Sequence, residues 1–534
     1  MPAVTPPAAA VASAWAPLRI SVFRVLWLAQ LASLVGTWMQ TVGAQWLLVD
    51  DPAASTLVAL VQTANMTPVF FLALPAGVFA DVFDRRRLLI AVQTGSLVVA
   101  AVLATLTAAG EVTPALLLAF TFLLGCGQTL TMPAWQALIP ELVPRSQLPA
   151  ASALGGISMN LARAVGPAVA GLLIASVDVA AVFALNALSF GFLVLALATW
   201  RRRPVEPDDL PERFGSALVA GGRYIRHSRV VRRILLRSLL YVVPGTVVWA
   251  LLALVASRRL GLGPGGYGVL LAALGVGAVA GAFTLPRLRV RTSTNGIVLL
   301  ASLVYAVALV VVALVANPAA VTVVLFAAGA AWLAVMASLN ATMQLFLPGW
   351  VRARGLSTYQ VVFVGGQGLA ALAWGLLAEQ FGLQAVFLAA AGLMLAGAAS
   401  LRWWPLHDTE GLDRSPAMYW PEPHLDFEPE PDDGPVLVTV TYRVPEERVP
   451  RFLEAMDLVR RSRQRTGASR WDLYRDGADR RQFVETFMVP SWAEHLRQHG
   501  ERLTGTDQAI EERAIALADG TPEVQHLFSV PPRP

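Results

Sequence analysis

The sequence predicts an all-α polytopic membrane protein, about twelve transmembrane helices in two six-helix bundles, followed by a small α+β domain of ferredoxin-like element order. Three observations carry this expectation. Of 534 residues, 56% are hydrophobic and only 14% charged, against roughly 25% charged in a globular chain. Long apolar runs fill the chain up to residue 404, each able to cross a bilayer core of about 30 Å with about 20 helical residues. The charge is crowded between those runs and beyond residue 405.

Residues 1–22 form an Ala/Pro-rich N-terminal cytoplasmic tail without the basic start of a cleavable signal peptide. Spans begin near residues 23, 56, 88, 113, 154 and 180, giving a first bundle over 23–200. They begin again near 236, 264, 294, 319, 354 and 383, giving a second bundle over 236–404. The links alternate in charge. One set holds Asp84–Arg87, Arg145, Arg201–Arg203 with Arg223–Arg237, Arg287–Arg291, Arg352–Arg354 and Arg402. The other holds Asp50, Asp51, Glu111, Asp178, Asn317 and Glu379, with Arg258 and Arg259 as its one basic exception. The positive-inside rule therefore places both termini and the 201–235 loop in the cytoplasm, and the chain in the cytoplasmic (inner) membrane. The chain has no lysine, and up to residue 405 its arginines sit beside apolar spans, where they are a topology signal, so nucleic acid is not an expected partner despite the net charge of +5.

Within the central loop, Ser216–Arg229 has helical periodicity with a basic face and reads as an interfacial amphipathic helix, with a solvated linker as the alternative. The halves echo one another: Gln136-Ala-Leu-Ile-Pro140 returns as Gln344-Leu-Phe-Leu-Pro348. Gly171-Leu-Leu and Ala181-Val-Phe return as Gly375-Leu-Leu and Ala385-Val-Phe, as a parallel six-plus-six repeat requires. Residues 405–434 are a Pro- and acid-rich linker. In 435–534, strand patterns at 436–442, 470–474, 482–488 and 524–530 alternate with helical segments at 446–465, 491–502 and 505–518. That β-α-β-β-α-β order is a split βαβ unit.

Two motifs carry chemistry. In Gly77-Val-Phe-Ala-Asp-Val-Phe-Asp-Arg-Arg-Arg87, Gly77 permits close helix approach, Asp81 suits a helix N-terminus, and Arg85 to Arg87 can pair with acids or phosphates. A plain positive-inside anchor is the alternative. In Asn160-Leu-Ala-Arg-Ala-Val-Gly-Pro-Ala-Val-Ala-Gly171, Gly166 and Pro167 free a backbone carbonyl inside a span, and Gly171 permits tight packing. Arg163 shares a face with Asn160 and Pro167 and should face protein rather than lipid, as a functional group, a structural ion pair or a snorkelled side chain. Gln30, Ser33, Thr37, Gln40 and Thr41 lie on one face of the first span beside Trp38. Gln128, Trp249, Asn340 and Gln367 are further candidate substrate contacts or interhelical glue. No Asp, Glu or His lies deep in any span. The lone Cys126 excludes a disulfide framework. His495 and His499 are spaced for one helix face without a third ligand, so a solvated face is expected and no metal or cofactor.

The 77–87 loop resembles the helix 2–3 loop of major facilitator superfamily transporters at Gly77, Asp81, Arg85 and Arg86, and departs from it at Val82 and Asp84. The 160–171 segment resembles the helix 5 Gly-Pro motif of proton-coupled exporters, with Ala170 in place of a glycine. With Trp27-Leu-Ala-Gln-Leu31 and Gly36-Thr-Trp-Met-Gln40, the chain is similar to the enterobactin-exporter-like branch, the transmembrane secretion effectors. Its tail resembles the antibiotic-biosynthesis monooxygenase family. The resemblance implies the major facilitator fold and a secondary active transporter, not an enzyme. It implies export of siderophore-like or drug-like amphipathic molecules by alternating access, with proton antiport and the 77–87 loop as gating latch. The bilayer and a small-molecule substrate are then the partners, with the tail a candidate self-association module. An importer, or a membrane-anchored enzyme acting through the tail, are the alternatives. The arginine that such exporters carry in helix 4 has no counterpart in 113–138.

Overall fold

The structure, a computed structural model, describes residues 15–200, 222–407, 413, 417 and 425–530. Seven helices precede the central loop: α1 (Ser21–Leu47), α2 (Ala54–Met66), α3 (Pro68–Val82), α4 (Arg85–Ala108), α5 (Pro114–Leu142), α6 (Leu148–Ser176) and α7 (Val179–Thr199). After it come α8 (Arg229–Leu254), α9 (Pro264–Arg291), α10 (Thr294–Leu314), α11 (Pro318–Phe346) and α12 (Gly349–Ala399). Among the described residues, 11 helices are long and apolar enough to cross a membrane, with α2 running on into α3 as one of them. The run α12 is 51 residues and is interrupted at Gly382, whose φ of 80° and ψ of 162° are not helical. Fifty-one helical residues would extend about 77 Å, more than twice a bilayer core.

The polar links start the helices. Asp84, Thr113, Asp178 and Ser293 each accept a hydrogen bond from a first-turn backbone N–H of the helix that follows. Asp84, which departs from the superfamily loop, is thus the N-cap of α4, 2.8 Å from the Arg87 N–H. Leu172, Phe192, Leu195, Phe283 and Leu369 lie exposed on the helices, the inverse of a water-soluble surface. One end of the first bundle closes over a buried cluster that includes Phe23, Leu26, Leu89, Trp135, Leu138 and Leu197.

The chain divides into two compact units. The first contains most of the helices; the second joins the described parts of 207–236 and 339–359 to the tail beyond 406. In the tail, β1 (Val436–Arg443), α13 (Val449–Thr466), β2 (Arg470–Arg475), β3 (Gln482–Val489), α14 (Trp492–Arg497), α15 (Gly505–Ile515) and β4 (Glu523–Phe528) form an antiparallel sheet of order β2-β3-β1-β4 with its helices. Val436, Val438, Val440 and Tyr442 alternate inward and meet Phe452, Met456 and Val459 of α13.

A buried charged centre lies against that core. Glu485, fully buried, accepts hydrogen bonds from Tyr442 Oη at 2.9 Å, Trp471 Nε1 at 2.9 Å and Arg463 Nε at 3.2 Å. Arg463 also donates to Glu511 at 2.6 Å. Removing Glu485 leaves the Tyr442 and Trp471 donors buried and unmatched, at about 1–3 kcal/mol each, and leaves Arg463 held by Glu511. Glu485→Ala is therefore expected to unfold the tail selectively. Limited proteolysis of the full-length variant should cut within 435–530 while the helices stay protected; a wild-type digestion pattern would contradict this.

Candidate functional site

The polar face of α1 opens on a narrow cleft inside the first bundle, about 30 Å³ in volume. Gln30, Ser33, Thr37, Gln40 and Thr41 line one wall. Gln93 and Ser96 of α4, Thr121, Gln128 and Thr131 of α5, and Asn186 of α7 line the others. Gln93 Nε2 donates to Thr131 Oγ1 at 2.9 Å, and Asn186 Nδ2 to Gln40 Oε1 at 3.2 Å. Gln30 Oε1, Gln40 Nε2 and Gln93 Oε1 are buried without a hydrogen-bond partner. The lining holds amides and hydroxyls and no ionisable group, so it can bind by neutral hydrogen bonds. The sequence reading found the α1 face and Gln128 but missed Gln93, Ser96, Thr121, Thr131 and Asn186. The spacing of Thr121, Gln128 and Thr131 on one helical face was the available signal.

Arg163, midway along α6, lies beside a pair of adjacent indoles. Its guanidinium carbon is 5.5 Å from the Trp38 ring centre and 5.8 Å from that of Trp249, and the two rings are 5.7 Å apart. Arg163 Nε and Trp249 Nε1 are buried without partners. Among the described residues Arg163 has no carboxylate within ion-pair distance. Local packing fixes this box. A Cβ on Gly166 would fall 2.6 Å from the Trp38 Cβ and 2.9 Å from the Val35 carbonyl, so the glycine lets α6 lie directly on α1.

The two halves join along seams built from the echoed glycines. A Cβ on Gly171 would lie 2.7 Å from the Pro264 carbonyl of α9, and one on Gly375 would lie 2.9 Å from the Ser55 carbonyl of α2. Gln45 reinforces the same end of the bundle, donating to the Trp249 carbonyl at 3.0 Å and accepting from Tyr267 Oη at 2.5 Å. Arg258, the exception in the arginine alternation, donates to the Asp51 carbonyl at 3.2 Å and so ties the α1–α2 link to the end of α8.

Arg85 and Arg86 of the 77–87 loop bond to groups on α5 and at the end of α7. Arg85 donates to Glu141 at 2.8 Å and to the Ala137 carbonyl at 3.1 Å. Arg86 donates to the Leu197 and Ala198 carbonyls at 2.7 and 2.8 Å, capping the end of α7. The close approach expected at Gly77 is not made: a Cβ there would meet nothing within 4 Å, because the tight helix contacts are carried by Gly166, Gly171 and Gly375 instead. The side chains of Asp81 and Val82 lie outside the described residues. Three other candidates take no part in the cleft lining or the indole box. Asn160 donates to the Gly156 carbonyl of its own helix at 2.9 Å, Gln344 donates to Asn340 on their shared helix, and Gln367 is buried on α12.

In the second unit the tail meets other parts of the chain. Tyr224 sets its ring edge-on to Trp350 at 5.6 Å, and the Arg502 guanidinium stacks 4.9 Å from the Trp350 ring. Arg223 donates to the Gly467 carbonyl at 2.9 Å and pairs with Glu494 at 3.8 Å. Of the expected amphipathic helix, residues 222–227 are helical and 216–221 lie outside the described residues. The solvated histidine face is corrected by the structure: His495 is fully buried and its Nε2 lies 3.0 Å from Nε2 of His526. Its ring is packed against Trp492 and His499, because this helix turns the histidines toward the sheet. Burial pushes His495 down to about 3, with His526 adding to it, and burial followed by Arg463 pushes His499 down to about 2. An imidazole depressed in the folded state gives stability that is complete above its ordinary value near 6.5 and lost as pH falls below it. Tail unfolding should thus become easier by about 1.4 kcal/mol per pH unit per imidazole below about pH 6. The denaturation midpoint of the tail across that range checks this, and a flat profile would contradict it.

The sequence model of the transmembrane secretion effectors matches residues 12–533, tail included. The chain belongs to the transmembrane secretion effector family. This secretion effector is therefore a membrane transporter of the major facilitator superfamily. It is 22% identical over 280 residues to the staphyloferrin A transporter of Staphylococcus aureus, across 52% of this chain and 69% of that one. It is 27% identical over 212 residues to the multidrug efflux pump Tap of Mycobacterium tuberculosis, across 38% of this chain and 51% of Tap. The fold is shared with the nucleoside transporter NupG (TM-score 0.60, 13% identity, covering 72% of this chain and 99% of that one). It is also shared with an inward-facing bacterial homologue of the lysosomal transporter Spinster (TM-score 0.57, 14% identity, covering 73% of this chain and 96% of that one).

Proposed function

We propose that this secretion effector exports small amphipathic molecules, siderophore-like or drug-like, from the cytoplasm by alternating access of two six-helix bundles, with proton antiport as the driving reaction. The break at Gly382 would divide α12 into the eleventh and twelfth spans. The observation that carries the proposal is the cation–indole box. Trp38 and Arg163 come from the first half and Trp249 from the second, so a molecule held there touches both moving parts. A guanidinium beside two indoles suits a flat or aromatic substrate that also bears an acceptor. The names of the staphyloferrin A transporter and of the multidrug efflux pump Tap support a siderophore-like or drug-like substrate. The indole box is made by helices from before and after the central loop, so those helices must part to admit such a molecule. With the arginine-rich links in the cytoplasm, the glycine seams close the outer end and the 77–87 loop lies at the inner one, where it acts as a gating element through Arg85 and Arg86. The tail, ferredoxin-like in strand order, serves docking or self-association.

Inverted membrane vesicles test this. Imposing a proton gradient should drive uptake of at least one member of a panel of siderophores and cationic dyes, and collapsing the gradient should stop it. Transport that ignores the gradient would refute antiport; transport in the opposite direction would refute export.

A further inference from the structure

Beside the start of α8, the second unit contains an open cavity of about 230 Å³ lined by Arg226, His227, Arg229, Arg232, Arg460 and Arg461, with Gln464 at its edge. Five guanidinium groups thus face one space. The acid bonded to this group is Asp457, which binds Arg460 at 2.5 Å and also holds Arg461. Among the described residues, Arg226, Arg229 and Arg232 have no carboxylate within ion-pair distance. Three independent features make this more than a stretch of positive link. The positive-inside rule accounts for arginines beside a span, Arg226 to Arg232, but not for Arg460 and Arg461, which come from α13 of the tail. The first turn of α8 carries cations and no acid, the reverse of what a helix N-terminus favours, whereas an anion seated there would be matched by both the helix and the arginines. Guanidinium groups arriving from two elements can each make paired hydrogen bonds to tetrahedral oxyanions.

We propose that this cavity binds a phosphate-bearing anion that joins the start of α8 to α13 of the tail. The electrostatics agree. Burial lowers the His227 imidazole, with Arg226, Arg232, Arg223 and Arg465 lowering it further, and burial followed by Arg229 lowers Arg461. A bound anion would relieve both. The phosphate belongs either to an anionic phospholipid headgroup or to a soluble ligand, and the site is independent of what the helices transport.

The test uses the delipidated full-length protein. Pyrophosphate is titrated in one arm; in the other, phosphatidylglycerol retention is measured by native mass spectrometry after reconstitution in mixed phosphatidylcholine–phosphatidylglycerol discs. At least one probe should bind saturably. The paired change Arg229→Gln with Arg461→Gln should weaken that binding about tenfold or more, as loss of two charge-assisted contacts requires. The paired lysine variant should retain most of it, and Arg470→Gln, an exposed arginine outside the cavity, should change nothing. Binding of pyrophosphate without the lipid identifies a soluble ligand, and the reverse identifies a headgroup. Saturable binding of neither probe, or wild-type binding by the glutamine pair, overturns the proposal.

Discussion

Arg163→Ala is expected to lower transport by about tenfold to a hundredfold while leaving the protein at least as stable as the wild type. The two halves of that expectation separate function from structure. A lone guanidinium deep in a span is expensive, and Arg163 has no carboxylate to offset it, only the faces of Trp38 and Trp249. Deleting a charge that lacks a partner removes a desolvation penalty, so the resting protein should not suffer. A hydrogen bond from a charged donor to a substrate acceptor is worth about 1.5–3 kcal/mol, which converts to the stated range of rates. Arg163→Lys should fall between the two, because it retains the charge and loses the planar stack. Initial transport rates in proteoliposomes, set beside the melting temperature of the same preparations, decide the matter. A variant that melts early and transports normally per folded molecule would make Arg163 a structural residue.

Much of this was legible from particular residues. Span starts near 264, 294 and 319 coincide with helices beginning at Pro264, Thr294 and Pro318, because each link ends in a helix-start signal, Pro264, Ser293 or Pro318, just before the apolar run. The four tail strands lie within a few residues of their patterns, since alternation in Val436–Tyr442 has a buried face to select it. What stayed hidden was the rotation of each helix. In a span that is apolar all round, periodicity does not say which side faces protein. No sequence pattern therefore singles out Gln93 and Asn186, although both reach the cleft. The same ambiguity misplaced His495 and His499, whose helical spacing is equally compatible with a wet face and a buried one. Gly77 lacks a Cβ and so permits a close helix approach, yet nothing lies within 4 Å of the position a Cβ would take, and no local pattern reports a distant neighbour.

The echoed glycines set a steric limit on closure of the seams. Gly375→Val should reduce transport at least as much as Arg163→Ala, by preventing closure of one seam. A Cβ at 375 would stand 2.5 Å from the Ala59 Cβ and 2.9 Å from the Ser55 carbonyl, and backbone cannot yield as a flexible side-chain tip can. Overpacking of this kind costs about 1–3 kcal/mol. Because the strain exists only when α2 and α12 are together, it falls on one conformation and not the other, and shifts their ratio about fivefold to more than a hundredfold. Gly171→Val at the α6–α9 seam should act in the same direction, since its Cβ would meet the Pro264 carbonyl at 2.7 Å. The two changes together should be less than additive if both serve one closure. Gly392→Ala is the control on the same helix run, with nothing within 4 Å of its Cβ. Labelling of Thr56→Cys by a membrane-impermeant maleimide reports the seam directly and should accelerate in the Gly375→Val background. Unchanged labelling together with wild-type transport would show that the glycines serve assembly alone, and that the conformational change runs along some other contact.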